Sequence, residues 1–349
     1  DAVYIDGKTS TTKMNYDSLI VATGADVNLD AIPGAQKYAL PFYTLEDCLE
    51  LRKRLTLLDS IGDEFDDGIN VVVIGGGYSG VELALNMKER LSNAGKGLTV
   101  TLVHRGDEIL QYATEFNRKT GLERLQKAGI EIMTGTSVVE VSPDDNEGSN
   151  VMDRQCRVTI QKDDQLDTLD SDILLWTAGA MATNTQQGIL NSKLPRDSSG
   201  RIVTDKYLQV KGLENVYALG DCSRVKKVPY GATAAVAMQQ APVAAWNAYT
   251  STMKSEDSYA VPGKDELKPL PFQYINLGEM MTLGTEDATI SSMGIVELNG
   301  VGASVLRRLI YAVRMPTVQQ ALTAALSSSG KRLEVLSRNK KVNKVIDWQ

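Results

Sequence analysis

Short continuous apolar runs alternate along this chain with apolar residues spaced three or four positions apart. Residues 71–74 (VVVI) form a continuous run that predicts a buried strand, and residues 81–85 (VELAL) begin a helical pattern. A second strand is predicted over 98–103, followed by a helix over 115–128 and a strand over 130–133. Strands that alternate with helices in this way favour an α/β fold built on a parallel sheet.

Further elements are predicted on both sides of this unit. They are a β-hairpin leading to a buried strand within residues 1–24, a helix over 44–58, strands at 173–179 and 216–219, and a helix of small residues over 231–252. Residues 142–153 are polar and acidic and predict a hairpin tip or mobile loop. Residues 254–271 carry the charges, prolines and glycines typical of a linker.

Residues 75–80 (GGGYSG) connect the first of these strands to the helix after it. In a turn of the GxGxxG type, the first glycine allows the tight turn, the second lets the backbone approach a pyrophosphate, and the third packs the helix against the strand. The helix N-terminus adds N–H groups and a positive dipole end. The alternative is a glycine-rich turn without a ligand. We predict a dinucleotide at Gly75, Gly77, Tyr78 and Gly80.

Composition limits the chemistry that the chain can perform. Its 349 residues suffice for two or three domains, and its net charge of −7 argues against nonspecific nucleic-acid binding. The three cysteines form no CxxC pair, so neither a disulfide framework nor a thiol–disulfide redox centre is indicated. A single histidine, His104, argues against a metal site built on histidine clusters.

The charge is distributed unevenly, since residues 301–349 carry +7 and the remainder −14. On a helical wheel, one side carries Val305, Leu306, Leu309, Ile310 and Val313, and the other carries Arg307, Arg308 and Arg314. A basic amphipathic helix of this kind suits an anionic membrane surface. The alternative is an ordinary helix docked on the body of the protein or on a second subunit.

The end of the second nucleotide strand bears on which dinucleotide binds. An acidic residue usually contacts the ribose of NAD at this place, but here the strand is followed by His104 and Arg105. Cationic donors suit a 2′-phosphate, which favours NADPH, although Asp107 or Glu108 could serve the ribose of NADH. Glu82, in the first helical turn, either stabilises the helix N-terminus or holds the nicotinamide carboxamide.

Three other strands end in small residues, where a chain can pass close to a cofactor. These ends are Ala22-Thr23-Gly24, Thr177-Ala178-Gly179 and Gly220-Asp221. The aspartate can accept a hydrogen bond from a ribitol hydroxyl. Each is a common turn by itself, but their order around one GxGxxG motif matches a specific plan.

This plan resembles the flavoprotein reductases with two dinucleotide-binding domains, in which a Rossmann-like NAD(P)H domain is inserted into an FAD domain. Among these, the chain is similar to the type II NAD(P)H–quinone oxidoreductases. Residues 232–241 (ATAAVAMQQA) resemble the flavin-adjacent quinone motif of those enzymes. Residues 272–284 (FQYINLGEMMTLG) and 314–317 (RMPT) resemble the C-type branch of plastids and cyanobacteria.

The resemblance implies an enzyme that passes a hydride from NADPH or NADH to FAD, and then two electrons to a membrane quinone without pumping protons. The implied quinone is plastoquinone or a demethylphylloquinone-like naphthoquinone. The implied catalytic residues are Glu82, Gln239 and Gln240, with no metal. The implied cofactor contacts, besides the glycine turn, are Ala22, Thr23, Gly24, His104, Arg105, Gly179, Gly220, Asp221, Ala232 and Thr233.

The resemblance also implies a location and partners. The C-terminal helical region would seat the enzyme on a plastid thylakoid or plastoglobule, with a mitochondrial or cyanobacterial membrane as the alternative. A homodimer is an assembly found among such relatives. Two other functions stay open: a soluble flavin reductase for ferredoxin or oxygen, and a non-catalytic flavoprotein scaffold.

Two features depart from the family pattern. The N-terminal FAD fingerprint, a βαβ unit of some 30 residues, is absent from a chain that opens at Asp1 within a strand. We expect that a larger protein supplies it, together with any leader, and that FAD binding needs it. Ala235 stands where the quinone motif usually carries glutamine, which removes one hydrogen bond to the quinone ring.

These expectations divide the chain into four parts. They are the distal part of the FAD domain over 1–30, the NAD(P)H domain over 31–180, the second half of the FAD domain over 181–290 and a membrane-association region over 291–349.

Overall fold

The computed structural model describes residues 2–5, 9–12, 15–61, 68–92, 97–143, 155–182, 194–225, 230–255, 267–315 and 317–326. Two compact units make up the chain. Unit 1 comprises Asp1–Asn28 and Gly179–Asn276, and unit 2 comprises Leu29–Ala178 and Leu277–Gln349. The range 181–290, expected in one domain, is therefore divided after Asn276. Most of the predicted loop over 142–153 and of the predicted linker over 254–271 lies outside the described residues.

The elements follow the predicted alternation of strands and helices. In chain order the strands are β1 (Ala2–Ile5), β2 (Thr9–Thr12), β3 (Leu19–Val21), β4 (Ala25–Val27), β5 (Leu40–Pro41), β6 (Ile69–Ile74), β7 (Leu98–Val103), β8 (Glu131–Met133), β9 (Ser137–Pro143), β10 (Cys156–Lys162), β11 (Gln165–Ser171), β12 (Ile173–Trp176), β13 (Ala180–Ala182), β14 (Ile202–Thr204), β15 (Val216–Ala218), β16 (Ser223–Val225), β17 (Glu279–Thr282), β18 (Ala288–Ser292) and β19 (Val296–Gly300). The helices are α1 (Ala35–Tyr38), α2 (Leu45–Ile61), α3 (Tyr78–Leu91), α4 (Glu115–Lys127), α5 (Ala234–Ser255), α6 (Val301–Val313) and α7 (Val318–Leu326), with a 3₁₀ turn at Gly220–Cys222.

A five-stranded parallel sheet, in the order β5-β12-β6-β7-β8, forms the centre of unit 2. Val71 and Val73 of β6 lie between β12 and β7 and are buried. Helix α3 packs Val81 and Ala84 into the same core. Because such a sheet is buried on both faces, β6 is continuously apolar over residues 71–74 and β12 throughout its length. The strands predicted over 71–74 and 98–103 are confirmed.

A second, antiparallel sheet in the order β17-β18-β19 also belongs to unit 2. Met281 of β17 is fully buried and joins the core of the nucleotide sheet together with Leu283. That core contains Val81 of α3 and Leu125 of α4. The chain after Asn276 is therefore packed against the helices of the predicted nucleotide site.

Helix α6 turns most of its apolar side chains outward. Those with at least about two fifths of their surface exposed are Val301, Val305, Leu306, Leu309, Tyr311 and Val313. Arg307 and Arg308 are only partly exposed. The Arg308 guanidinium donates to the carbonyl of Thr285, and the guanidinium of Arg307 lies over the ring of Tyr311, 4.7 Å from its centroid. The two predicted faces are therefore present, but Arg307 and Arg308 of the basic face contact other residues of unit 2.

Unit 1 is built from short paired strands and the long helix α5. Strands β3 and β15 pair in parallel, as do β14 and β16, while β4 and β13 pair antiparallel. Val21 and Ala218 lie in a core that includes Ile202 and Val216. The predicted helix of small residues over 231–252 is confirmed by α5.

Candidate active site

The glycine turn between β6 and α3 is fixed by backbone contacts. Gly75 has a φ of +115°, in the region that favours glycine, and its N–H donates to the Val103 carbonyl at 2.9 Å. A Cβ atom at Gly80 would lie 1.7 Å from the Gly75 carbonyl oxygen. The first glycine therefore makes the turn, and the third lets α3 touch it.

The start of α3 is open on its outer side. Gly77 is the N-cap residue of α3, and within the described residues no side-chain capping hydrogen bond is made there. A Cβ atom at Gly77 would meet no described atom within 4 Å. The turn therefore combines a helix N-terminus with a surface at which a phosphate can approach the backbone.

His104 faces the turn instead of pointing away from it. Its Nδ1 accepts a hydrogen bond from the Gly76 N–H at 3.1 Å. Burial lowers the pKa of His104, and the neighbouring Arg105 cation lowers it further, against a contact with the Glu108 backbone that raises it. The imidazole is therefore mainly neutral at pH 7 and braces the loop, which differs from the cationic role predicted for it. Arg105 remains the exposed charged donor of the pair.

Glu82 lies one turn into α3 and is held by the chain after Asn276. Its Oε1 accepts from the Thr282 N–H at 2.8 Å, and the Arg307 Nη2 lies 4.0 Å from that oxygen. Burial raises the pKa of Glu82, whereas the hydrogen bonds from Thr282 and the Arg307 cation oppose this rise. About a quarter of the side chain, 26%, stays exposed. Glu82 is thus a carboxylate of fixed direction that a ligand can still reach.

Sequence reasoning did not assign roles to the residues that hold Glu82. Residues 272–284 resemble a family segment, but nothing in their pattern indicates that Thr282 donates to Glu82. The sequence places Arg307 on the basic side of an amphipathic helix, with a membrane surface, the body of the protein or a second subunit as its partner. In the structure its Nη2 lies 4.0 Å from the Glu82 carboxylate. No sequence signal marked these partners, because they lie 200 and 225 positions from Glu82.

Unit 1 carries features that fit part of an FAD site. Gly24 and Gly179 have φ values of +73° and +76°, and a Cβ atom at either would meet no described atom within 4 Å. Asp221 is partly buried and has no hydrogen-bond or ionic partner among the described residues. Burial raises the pKa of Asp221. Asp221 thus offers a carboxylate from which a ribitol hydroxyl can receive a hydrogen bond.

The other residues predicted for this site differ in exposure. Ala22, Thr23, Ala232 and Thr233 are exposed, and the last two directly precede α5. The Thr233 carbonyl accepts from the N–H groups of Val236 and Ala237 at 3.1 Å. The start of this 22-residue helix is therefore a second N-terminus that a cofactor can approach.

Gln240 has a structural position that differs from the quinone contact predicted for it. The side chain is fully buried, its Oε1 accepts from the Gly220 N–H at 2.7 Å, and its Nε2 donates to the Tyr230 hydroxyl at 3.1 Å. Both halves of the amide are thus engaged, so Gln240 fixes Gly220, the residue before Asp221. Gln239 is half-buried and exchanges two hydrogen bonds with the backbone of Ile275, at 2.9 and 3.0 Å.

Comparison with known proteins identifies the family. The pyridine nucleotide-disulphide oxidoreductase family matches residues 2–248. The demethylphylloquinone reductase NdbB of Synechocystis sp. is 35% identical over 325 residues, which cover 92% of this chain and 72% of that protein. This chain belongs to the type II NAD(P)H:quinone oxidoreductases, within that family.

A plant relative agrees with this assignment, and a solved structure shows the same fold. The alternative NAD(P)H-ubiquinone oxidoreductase C1, chloroplastic/mitochondrial, of Arabidopsis thaliana is 32% identical over 326 residues; these cover 90% of this type II chain but 59% of that protein. The structure of NDH2 from Plasmodium falciparum in complex with NADH superimposes with a TM-score of 0.71 at 17% identity, covering 93% of this chain and 79% of that one. The prediction of an α/β fold is therefore confirmed, as that of the pyridine nucleotide-disulphide oxidoreductases.

Proposed function

We propose that this chain binds NAD(P)H at the glycine turn and FAD through unit 1, and passes electrons from the first through the second to a membrane quinone. The observation that carries the proposal is Glu82, anchored by Thr282 and Arg307 one helical turn beyond an open GxGxxG turn. The names of the relatives in Synechocystis and Arabidopsis, a demethylphylloquinone reductase and an NAD(P)H-ubiquinone oxidoreductase, support a quinone as the acceptor.

The chain's own groups bind and orient the nicotinamide nucleotide. The backbone at Gly77 and the start of α3 receive the pyrophosphate, since helix N–H groups and the dipole favour negative charge there. Glu82 accepts a hydrogen bond from the carboxamide of the nicotinamide and so fixes the direction of the ring. Because Glu82 is already held by Thr282, little further ordering is required when the nucleotide binds.

FAD, when bound, supplies the chemistry that converts a two-electron hydride donor into a reductant for quinone. Gly24 and Gly179 let the cofactor approach the backbone, and Asp221 accepts from a ribitol hydroxyl. Gln240 acts indirectly, by holding the Gly220 amide in place. Gln239 also bonds to Ile275 through both halves of its amide, but it is only half-buried, so it remains the proposed quinone contact through the second N–H of its Nε2. Ala235 provides no amide beside it.

The first test is steady-state quinone reduction by the full-length protein with NADPH or NADH and a short-chain plastoquinone or naphthoquinone. We expect rapid turnover with at least one quinone. Bound FAD without quinone turnover, but with electron transfer to ferredoxin or oxygen, would instead support a soluble flavin reductase. Bound FAD with no turnover on any acceptor would support a scaffold.

Arg105 sets the preference for NADPH in this proposal, because His104 is occupied with Gly76. Arg105→Ala is expected to lower kcat/KM for NADPH by about tenfold, because a charge-assisted hydrogen bond to the 2′-phosphate is lost. The kcat/KM for NADH should stay within about twofold of the wild-type value. The comparison of the two nucleotides in one preparation controls for general damage. An equal loss for both would show that Arg105 does not contact the 2′-phosphate.

The membrane surface is proposed as the partner of α6. Within the described residues, no helix is both long and apolar enough to cross a bilayer. The exposed Val305 and Leu309, with Arg314 at the helix end, suit shallow insertion at an anionic interface. We propose a peripheral location on a plastid thylakoid or plastoglobule membrane, and the chloroplastic/mitochondrial name of the Arabidopsis relative is compatible with it.

Replacing Val305 and Leu309 together by serine is expected to lower the affinity for anionic liposomes, measured by sedimentation, by about tenfold or more. The reason is that two apolar side chains are no longer transferred from water into the membrane interface. Leu45→Ser, at a leucine of α2 that is 69% exposed, is the matched control and should sediment as the wild type does. If the double variant bound liposomes normally but lost a dimer, the exposed face of α6 would be a subunit interface instead.

A further inference from the structure

One carboxylate, in the sheet formed by β17, β18 and β19, joins the start of α3 to the start of α4. Glu279 is the first residue of β17, and its Oε2 accepts from the Tyr78 hydroxyl at 2.5 Å and from the Thr114 N–H at 2.9 Å. Tyr78 is the first residue of α3, and Thr114 is the N-cap of α4. A single oxygen atom therefore ties three elements of unit 2 together.

Asn117 completes this cluster from the first turn of α4. Its Nδ2 lies 3.4 Å from the same Glu279 oxygen and 3.5 Å from the Tyr78 hydroxyl. Asn117 is fully buried, and its Oδ1 has no hydrogen-bond partner in the described part of the chain. Buried polar groups cost stability unless they are fully satisfied, so apolar side chains could hold these elements together equally well. What the polar cluster adds is a defined direction for each group.

The proton in the short hydrogen bond stays on the tyrosine. Burial raises the pKa of Tyr78, and the hydrogen bond to Glu279 raises it further. Tyr78 therefore remains a donor throughout the neutral pH range. The side chain of Tyr78 is held in one orientation as a result.

Tyr78 directly follows Gly77, so its position determines where the first amides of α3 point. Along the same side of the helix, Glu82 accepts from the Thr282 N–H and Glu89 accepts from the Thr285 N–H at 2.6 Å. Positions 78, 82 and 89 share one face of a helix. The segment that begins with β17 therefore runs along α3 and sets its position from the first residue onward.

We propose that Glu279 is a positioning residue of the dinucleotide site: its carboxylate fixes Tyr78 and so holds the glycine turn in the shape that receives the pyrophosphate. The inference rests on the proposed function of that turn. A turn that is held before binding loses less conformational freedom when the nucleotide arrives, so affinity for the nucleotide is what the contact improves.

The test uses Glu279→Ala, which removes the acceptor oxygen of Tyr78, and Tyr78→Phe, which removes only the hydroxyl. For the FAD-loaded full-length protein, the dependence of the flavin-reduction rate on NAD(P)H concentration gives an apparent Kd and a limiting rate. We expect the apparent Kd to rise roughly tenfold in each single variant, with no further rise in the double variant, because both remove the same contact.

Several readouts separate positioning from general damage. The limiting rate, the KM for quinone and the thermal midpoint of Tyr78→Phe should stay close to the wild-type values. Glu297→Ala, at an exposed carboxylate of β19 in the same sheet, is the matched control for Glu279→Ala and should leave the apparent Kd unchanged.

Two outcomes would overturn the inference. Either the apparent Kd is unchanged in Tyr78→Phe, or the effects of the two changes simply add in the double variant. Failure of the wild-type protein itself to bind NAD(P)H would be a different result, since it would overturn the proposed function of the glycine turn and this inference with it.

Discussion

Reduction of the flavin by NAD(P)H is expected to slow by about a hundredfold when Glu82 is replaced by alanine. Glu82 is anchored through Thr282, and Arg307 lies 4.0 Å from its Oε1, so the carboxylate offers the nicotinamide an acceptor in a fixed place. Without it the ring can bind in orientations from which a hydride is not transferred. Anaerobic stopped-flow measurement of the two half-reactions checks this, and reoxidation by quinone should stay within about twofold.

Glu89→Ala is the matched control for this experiment. Glu89 is another carboxylate of α3 that accepts from the backbone after β17, through Thr285, but it lies two turns further from the glycine turn. Its loss removes a comparable structural contact and should leave flavin reduction unchanged. Equal slowing of both half-reactions in Glu82→Ala, or equal effects of the two variants, would contradict the role assigned to Glu82.

The strand, turn and helix of the nucleotide site could be predicted from the sequence because each is a local signal. Four consecutive apolar residues at 71–74, three spaced glycines and a helical pattern determine β6, the turn and α3 with little help from distant residues. The family motif over 272–284 was also visible as a pattern. The positions of Gly75 and Gly80 followed from what a tight turn and a close approach require.

The partners of these residues could not be predicted, because they come from distant parts of the chain. Glu279 meets Tyr78 across 201 positions, and the pattern of β17 gives no sign of it. His104 shows a similar limit, since its type suggests a cation while its neighbour, the Gly76 amide, makes it an acceptor. For α6, the helical wheel separates two faces but does not show which one is buried. Arg307, whose Nη2 lies 4.0 Å from Glu82 Oε1, shows that the basic side of α6 faces α3.

Gly77 and Gly80, three positions apart in the motif, should fail in opposite ways when each is changed to alanine. Alanine normally stabilises a helix interior by about 1 kcal/mol relative to glycine. At Gly80, however, the new Cβ would lie 1.7 Å from the Gly75 carbonyl oxygen, a backbone atom that cannot move aside without opening the turn. We expect Gly80→Ala to lose about 2–3 kcal/mol of stability and roughly 5–10 °C in thermal midpoint.

The Gly77→Ala variant should fold normally but bind NAD(P)H poorly. Gly77 has a φ of −82°, which alanine adopts without strain, and its Cβ would meet no described atom within 4 Å. The midpoint should therefore change by no more than about 2 °C. The added methyl group would occupy the surface that the pyrophosphate approaches, so the apparent Kd for NAD(P)H should rise at least about tenfold. Normal nucleotide affinity in Gly77→Ala would place the pyrophosphate elsewhere. Because Gly77→Ala is unstrained, its loss of affinity would come from the altered contact with the nucleotide alone. Gly80→Ala cannot show this, because its stability is lowered as well.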